Sequence, residues 1–138
     1  MYNIPENMKL SRSFTISEFA CNDDSKEIIV DYELVSLLQK MRDTLGKPIK
    51  ITSGYRTAVY NKSCGGISTS HHLTGKAADI KVTGISPLDL AHVADKTGFK
   101  GIGVYPTFTH VDVGPQKLYW KQNSAGVKTT IKSLSEAK

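Results

Sequence analysis

A chain of 138 residues has the size of one domain and can bury an ordinary apolar core without staples. Its 18 Lys and Arg against 13 Asp and Glu give a formal charge of +5, which suits an anionic partner such as nucleic acid or a bacterial wall polymer. The positive residues are scattered, with no Arg/Lys run and no aromatic stacking motif, and this argues against nucleic acid. Cys21 and Cys64 lie far apart, outside any CxxC pattern, so they form neither a disulfide framework nor a zinc knuckle and read as ordinary core or loop thiols, with a single bridge between them left open. The first residues lack a basic segment followed by an apolar run, and no stretch approaches the roughly 18 apolar residues that span a bilayer. The expectation is a soluble monomer, made without an export signal and without a transmembrane segment.

The opening dozen residues read as an extended arm. Thr15-Ile16-Ser17-Glu18 then has the form of a capping box for a short helical turn, flanked by Phe14 and Phe19 as core anchors. Cys21 to Ser25 is polar and turn-rich. From Asp31, a capping residue, Leu34, Leu37, Leu38, Met41 and Leu45 recur at helical spacing until Gly46 and Pro48. Ile49 to Thr52 alternates like a short strand, and Ser53-Gly54-Tyr55-Arg56 is the turn leaving it. A loop containing Gly65-Gly66 leads to Ser70-His71-His72-Leu73-Thr74-Gly75, after which Ala77 to Val82 looks like a strand bearing Asp79. Ser86-Pro87-Leu88-Asp89 starts a second helix that carries Leu88, Leu90, Ala91 and Ala94 and stops at Gly98. Gly101 to Pro106 and Phe108 to Val113 read as two further strands. In the second of these, His110 and Asp112 face the same side, because side chains alternate with period two. The tail after Trp120 is polar and is expected to be partly helical or frayed.

Two imidazoles and one carboxylate, from His72, Asp79 and His110, form a ligand set that suits a catalytic zinc with one position left to water. Gly75 permits the tight backbone turn that would return Asp79 toward His72. Zinc in such a site acidifies a bound water and polarises a carbonyl, so the implied reaction is hydrolysis of an amide or ester. The competing reading is that these histidines are surface or hydrogen-bonded structural residues, as His92 on the second helix is taken to be. His71 adjoins His72 but would point the other way in a strand-like segment, as a supporting or solvent-facing residue.

The order of these segments resembles the zinc D-alanyl-D-alanine carboxypeptidase family, whose fold is shared with the hedgehog signalling domain. The similarity is carried by Ser70-x-His72-x-x-Gly75-x-Ala77-x-Asp79 and by Phe108-Thr109-His110-Val111-Asp112-Val113-Gly114-Pro115. It extends from about Phe14 to Trp120 and includes Glu18-Phe19, Leu45-Gly46-Lys47-Pro48, Ser53-Gly54-Tyr55-Arg56, Tyr60-Asn61, Gly65-Gly66 and Gly103-Val104-Tyr105-Pro106. The resemblance implies that His72, Asp79 and His110 are zinc ligands and that Ser70 orients the ligand loop. It likens Arg56 to an arginine facing a substrate carboxylate, a structural salt bridge being the alternative.

The chain departs from the family at the general base. One branch has Glu three residues before the last His, where this sequence has Thr107; another has His-x-His, where this one has His110-x-Asp112. The favoured assignment puts His110 on zinc and Asp112 beside the water as base or proton carrier. The reverse assignment stays open, as does a role for Asp112 in fixing the tautomer of a ligand His.

The resulting expectation is a single α+β domain over 1–138 with its core at about 14–120. A small, mainly antiparallel sheet carries the ligands, and helices pack on its other face. The resemblance implies zinc-dependent hydrolysis of peptide bonds in bacterial peptidoglycan stem peptides or crosslinks, by a carboxypeptidase or an endopeptidase. The alternative is a metal-stabilised, non-catalytic hedgehog-like or wall-binding module. Synthesis in the cytoplasm without a leader suits an endolysin-like enzyme of a phage or prophage, or a tail-associated one, that reaches the wall by another route.

Overall fold

A computed structural model describes residues 8–23 and 27–137. The arm expected at the start falls outside these for residues 1–7, as does the end of the polar segment for residues 24–26. The first described element is a single 3-10 turn, Ile16–Phe19, closed by the Thr15–Glu18 capping box, and it buries both Ile16 and Phe19.

Three helices follow the capping rules. In α1 (Tyr32–Leu45) the Asp31 side chain accepts from the Glu33 amide, and Gly46 ends the helix in the left-handed region at φ 64°. Its stripe of Leu34, Val35, Leu38 and Met41 is buried, each such side chain contributing about 1.5–3 kcal/mol. α3 (Pro87–Thr97) is capped by Ser86, has Pro at its start, and buries Leu90, Ala91 and Ala94. The short α2 (Ala58–Ser63) lies in the segment read from sequence as a loop.

Six strands make one sheet: β1 (Lys50–Ser53), β2 (Ala77–Lys81), β3 (Gly101–Val104), β4 (Thr109–Asp112), β5 (Leu118–Gln122) and β6 (Lys128–Ile131). Their order is β1-β2-β4-β3-β5-β6. Every pairing is antiparallel except that of β3 with β5. The tail, expected to be partly helical or frayed, ends in a 3-10 turn, Leu134–Ala137, with Leu134 buried, but before it supplies a strand, β6.

Register gives the sheet two different faces, because directly opposed residues point the same way. One row runs Ala78, Val111, Ile102, Tyr119 and Ile131; its members Ala78, Val111, Ile102 and Tyr119, with Ile80, pack with α1, α3, Phe14, Phe19 and Phe99 to form the core. The neighbouring row, one residue out of step, runs Asp79, His110, Gly103, Trp120 and Thr130. Beside it lie Ala77, Asp112, Gly101 and Leu118. α1 and α3 thus cover one face and the ligand candidates occupy the other.

Candidate metal centre

His72 is delivered by a 3-10 turn, His71–Thr74, where a strand-like segment was expected. The Ser70 hydroxyl caps this turn by accepting from the His72 amide at 3.2 Å. Gly75 ends it at φ 70°, and a Cβ there would overlap the Ile29 backbone, so glycine is required twice over. The chain then enters β2 and presents Asp79 next to His110 of β4.

One ligand atom from each of His72, Asp79 and His110 lies within 4.8 Å of the other two, and all three residues are buried. His72 Nδ1 is 2.7 Å from the Gly54 carbonyl, which can only accept. Nδ1 therefore carries the proton and Nε2 presents its lone pair toward Asp79 Oδ1, 3.4 Å away. Burial lowers the His72 pKa, outweighing the neighbouring carboxylate, and keeps the ring neutral.

His110 is held from behind in the same way. Its Nε2 donates to Asp112 Oδ2 at 2.8 Å, which turns Nδ1 toward Asp79 Oδ1 at 3.1 Å. The other Asp112 oxygen accepts from the Gly114 amide at 3.0 Å. Burial works to lower the His110 pKa, yet hydrogen bonds to Asp112 and Asp79 push it up to about 9. Asp79 is affected in the opposite sense: burial works to raise its pKa, but the hydrogen bond from His110 and the charge on that ring hold it well below the usual carboxylate range. The field at this point therefore favours positive charge.

The donor set fits a divalent cation such as zinc. Both imidazoles have the far nitrogen fixed by an acceptor, which sets tautomer and ring orientation, and the carboxylate is ionised. The second Asp79 oxygen is engaged by Arg56 Nη2 at 3.1 Å. That guanidinium is tied further by Nε to Ser53 Oγ at 2.9 Å and by Nη1 to Asn61 Oδ1 at 3.3 Å. Asn61 is itself buried and donates to the Ile67 carbonyl.

The centre opens into a cleft of about 860 Å³ lined by Arg56, the 64–72 segment, Tyr105, Asp112, Trp120 and Lys128, among others. Sequence reasoning missed the floor and far wall of this cleft. A Cβ on Gly101 would overlap the Asp112 carboxylate, and one on Gly103 would overlap the Trp120 indole, so both glycines in β3 make room for site-face side chains. The Gly-x-Gly spacing on a strand was the available signal. Trp120 packs against His110, with ring centroids 4.9 Å apart, and its Nε1 donates to the Tyr105 hydroxyl at 3.0 Å. His71 also lines the cleft, beside Gly114. Cys21 and Cys64 are both free, the first buried and the second exposed.

A fold that brings two histidines and an aspartate to one sheet face agrees with the comparison to known families: the Peptidase M15 model matches residues 12–113. The chain belongs to that family. Among curated relatives, the peptidoglycan L,D-endopeptidase MepK of Escherichia coli K12 is 32% identical over 100 residues, covering 66% of this chain and 54% of that protein. The probable peptidoglycan L,D-endopeptidase MepK of Haemophilus influenzae is 36% identical over 80 residues, 53% of this chain and 42% of that protein. The zinc D-Ala-D-Ala carboxypeptidase of Streptomyces albus G is 36% identical over 96 residues, 65% of this chain and 37% of that protein. The chain thus spans about half the length, or less, of these relatives.

Proposed function

We propose that the chain is a zinc-dependent peptidase that hydrolyses peptide bonds in bacterial peptidoglycan stem peptides or crosslinks. The observation that carries this reading is the convergence of His72, Asp79 and His110, with one ligand atom of each within 4.8 Å of the others, at the base of an open cleft. Family membership and the activities of the relatives support it. Zinc, when bound, supplies a water acidified toward neutral pH and polarises the scissile carbonyl.

The protein's part is to hold these groups still. Gly54 and Asp112 fix the two imidazoles, and Arg56 fixes the carboxylate. Both oxygens of Asp112 are engaged, one by His110 and one by the Gly114 amide. That supports orientation of His110 as its main task, ahead of the proton-carrying role expected from sequence. Arg56 is engaged through all three nitrogens and its side chain is 15% exposed, which supports a clamp on Asp79. Any contact it makes with a substrate carboxylate uses the N–H groups left over.

Mass spectrometry of muropeptides after digestion, with and without chelator, together with metal analysis of the purified protein, tests the proposal. Expected are about one zinc per chain and chelator-sensitive release of cut stem peptides, the products showing which bond is cleaved. Retained metal with no cleavage would overturn the peptidase reading in favour of a metal-stabilised binding module.

A further inference from the structure

The face that carries the ligands continues beyond the region matched by the family model, into β5 and β6. Gly103 pairs with Trp120, and Gln122 pairs with Lys128, so Lys128 stands on the same face as Trp120 and His110. Two ring contacts link it to the centre: Trp120 packs against His110 at 4.9 Å, and Lys128 Nζ lies 4.7 Å from the Trp120 ring centroid. Both residues line the cleft.

The charges around this ammonium are unevenly committed. The acids lining the cleft are Asp79 and Asp112, both buried and both bonded to other groups. Arg56 is engaged by Asp79, Ser53 and Asn61. Among the described residues, Lys128 has no carboxylate partner; its contact is the Trp120 ring face. That ring fixes where the cation sits without neutralising it. An extended peptide advances about 3.3–3.6 Å per residue, so the ammonium stands within about three residues of a peptide bond held beside His110.

We propose that Lys128, presented on the Trp120 indole, receives a free carboxylate of the substrate within about three residues of the scissile bond, so that the site prefers stem peptides with that carboxylate free over amidated ones. This rests on the peptidase reading above and adds a specificity determinant to it. A lysine that only shields the indole would be replaceable by methionine at no cost to selectivity.

The test uses two muropeptide pools that differ only in whether the stem carboxylates are free or carboxamides, with wild type, Lys128→Met and Lys128→Arg. Wild type is expected to favour the free-carboxylate pool by about tenfold in kcat/KM, mainly through KM. Lys128→Met should bring the two pools to parity while leaving the amidated pool and the zinc content unchanged. Lys128→Arg should restore most of the preference. A preference that survives in Lys128→Met, or an equal loss on both pools, overturns the proposal. Calorimetric binding of the same stem peptides to chelator-treated protein gives a second readout, with the same expected pattern. If wild type cleaves neither pool, the peptidase reading fails, and the binding measurement still decides the role of Lys128.

Discussion

At their centres the two faces of the sheet are almost equally buried but held by different forces. On the helix face, Ala78, Ile80, Ile102 and Val111 are fully buried by apolar neighbours. On the site face, Asp79, His110 and Asp112 are almost as buried, at 5%, 8% and 4% exposure, and are held by hydrogen bonds and charge. Adjacent residues of one strand, Ala78 and Asp79 or Val111 and His110, belong to opposite regimes. The helix face supplies the hydrophobic driving force; the site face uses part of that stability to keep polar groups out of water.

Crossed substitutions would break this contrast most sharply. His72→Ala should lose metal and reduce turnover to below about a thousandth of wild type. Its unfolding midpoint in chelator should change less than that of a core variant. Ile102→Ala, on β3 facing the helices and fully buried, should cost about 2–5 kcal/mol in denaturant unfolding while the folded protein keeps its zinc stoichiometry. If His72→Ala unfolds in chelator as readily as Ile102→Ala, the division of labour between the faces is wrong.

A smaller effect tests the floor of the cleft. Gly103→Ala would drive a methyl into the Trp120 indole, so a destabilisation of about 1–3 kcal/mol is expected. A change in tryptophan fluorescence should accompany it, because Trp120 is the chain's one Trp. An unperturbed emission spectrum with full stability would show that the indole is not fixed against β3.

What could be read without coordinates follows the same physics. α1 and α3 were legible because each joins an apolar stripe to a capping residue and a terminating Gly, all within a few residues of one another. α2 was not, since Val59 is exposed and the turn is secured by polar contacts of Thr57 and Asn61 that carry no periodicity. β6, Lys128-Thr129-Thr130-Ile131, has one buried residue and exists by pairing with β5, a partner that local sequence does not name. At the site, His72, Asp79 and His110 stood out as a ligand set by residue type, and the motif resemblance strengthened that reading. The shared side of His110 and Asp112 was legible from their spacing on one strand, whereas the commitment of Arg56 to Asp79 and the Trp120–Lys128 wall depend on pairing between distant segments, which residue spacing does not encode.

Asp112→Asn sharpens the comparison within the site face itself. The shape is kept, but an acceptor-only carboxylate is replaced by a group that can turn a donor toward His110 Nε2. Zinc affinity should fall about 10–100-fold, read by competition with a chromophoric chelator, and the metal-free protein should lose some thermal stability with the buried His110 pair. An unaltered zinc affinity would mean that Asp112 does not orient its neighbour, and would return the proton-carrying role to it.

The smallest expected effect comes from moving the same chemistry to the rim. Asp95 pairs with Lys117 and accepts from the Tyr119 hydroxyl, but the paired side chains are 36% and 43% exposed, against 7% and 15% for Asp79 and Arg56. Partial burial works to raise the Asp95 pKa, and hydrogen bonds from Lys117 and Tyr119 bring it below its ordinary value of 3.8. Because the folded value is the lower one, the pair's stabilisation is present above about pH 4 and lost as pH falls through the folded value. Solvent screening limits it, so Asp95→Asn should cost no more than about 1 kcal/mol at neutral pH. Urea unfolding of wild type and variant should converge as the pH is lowered below 3.8. A difference that persists at low pH would show that packing around Tyr119, and not charge, holds this edge of the sheet.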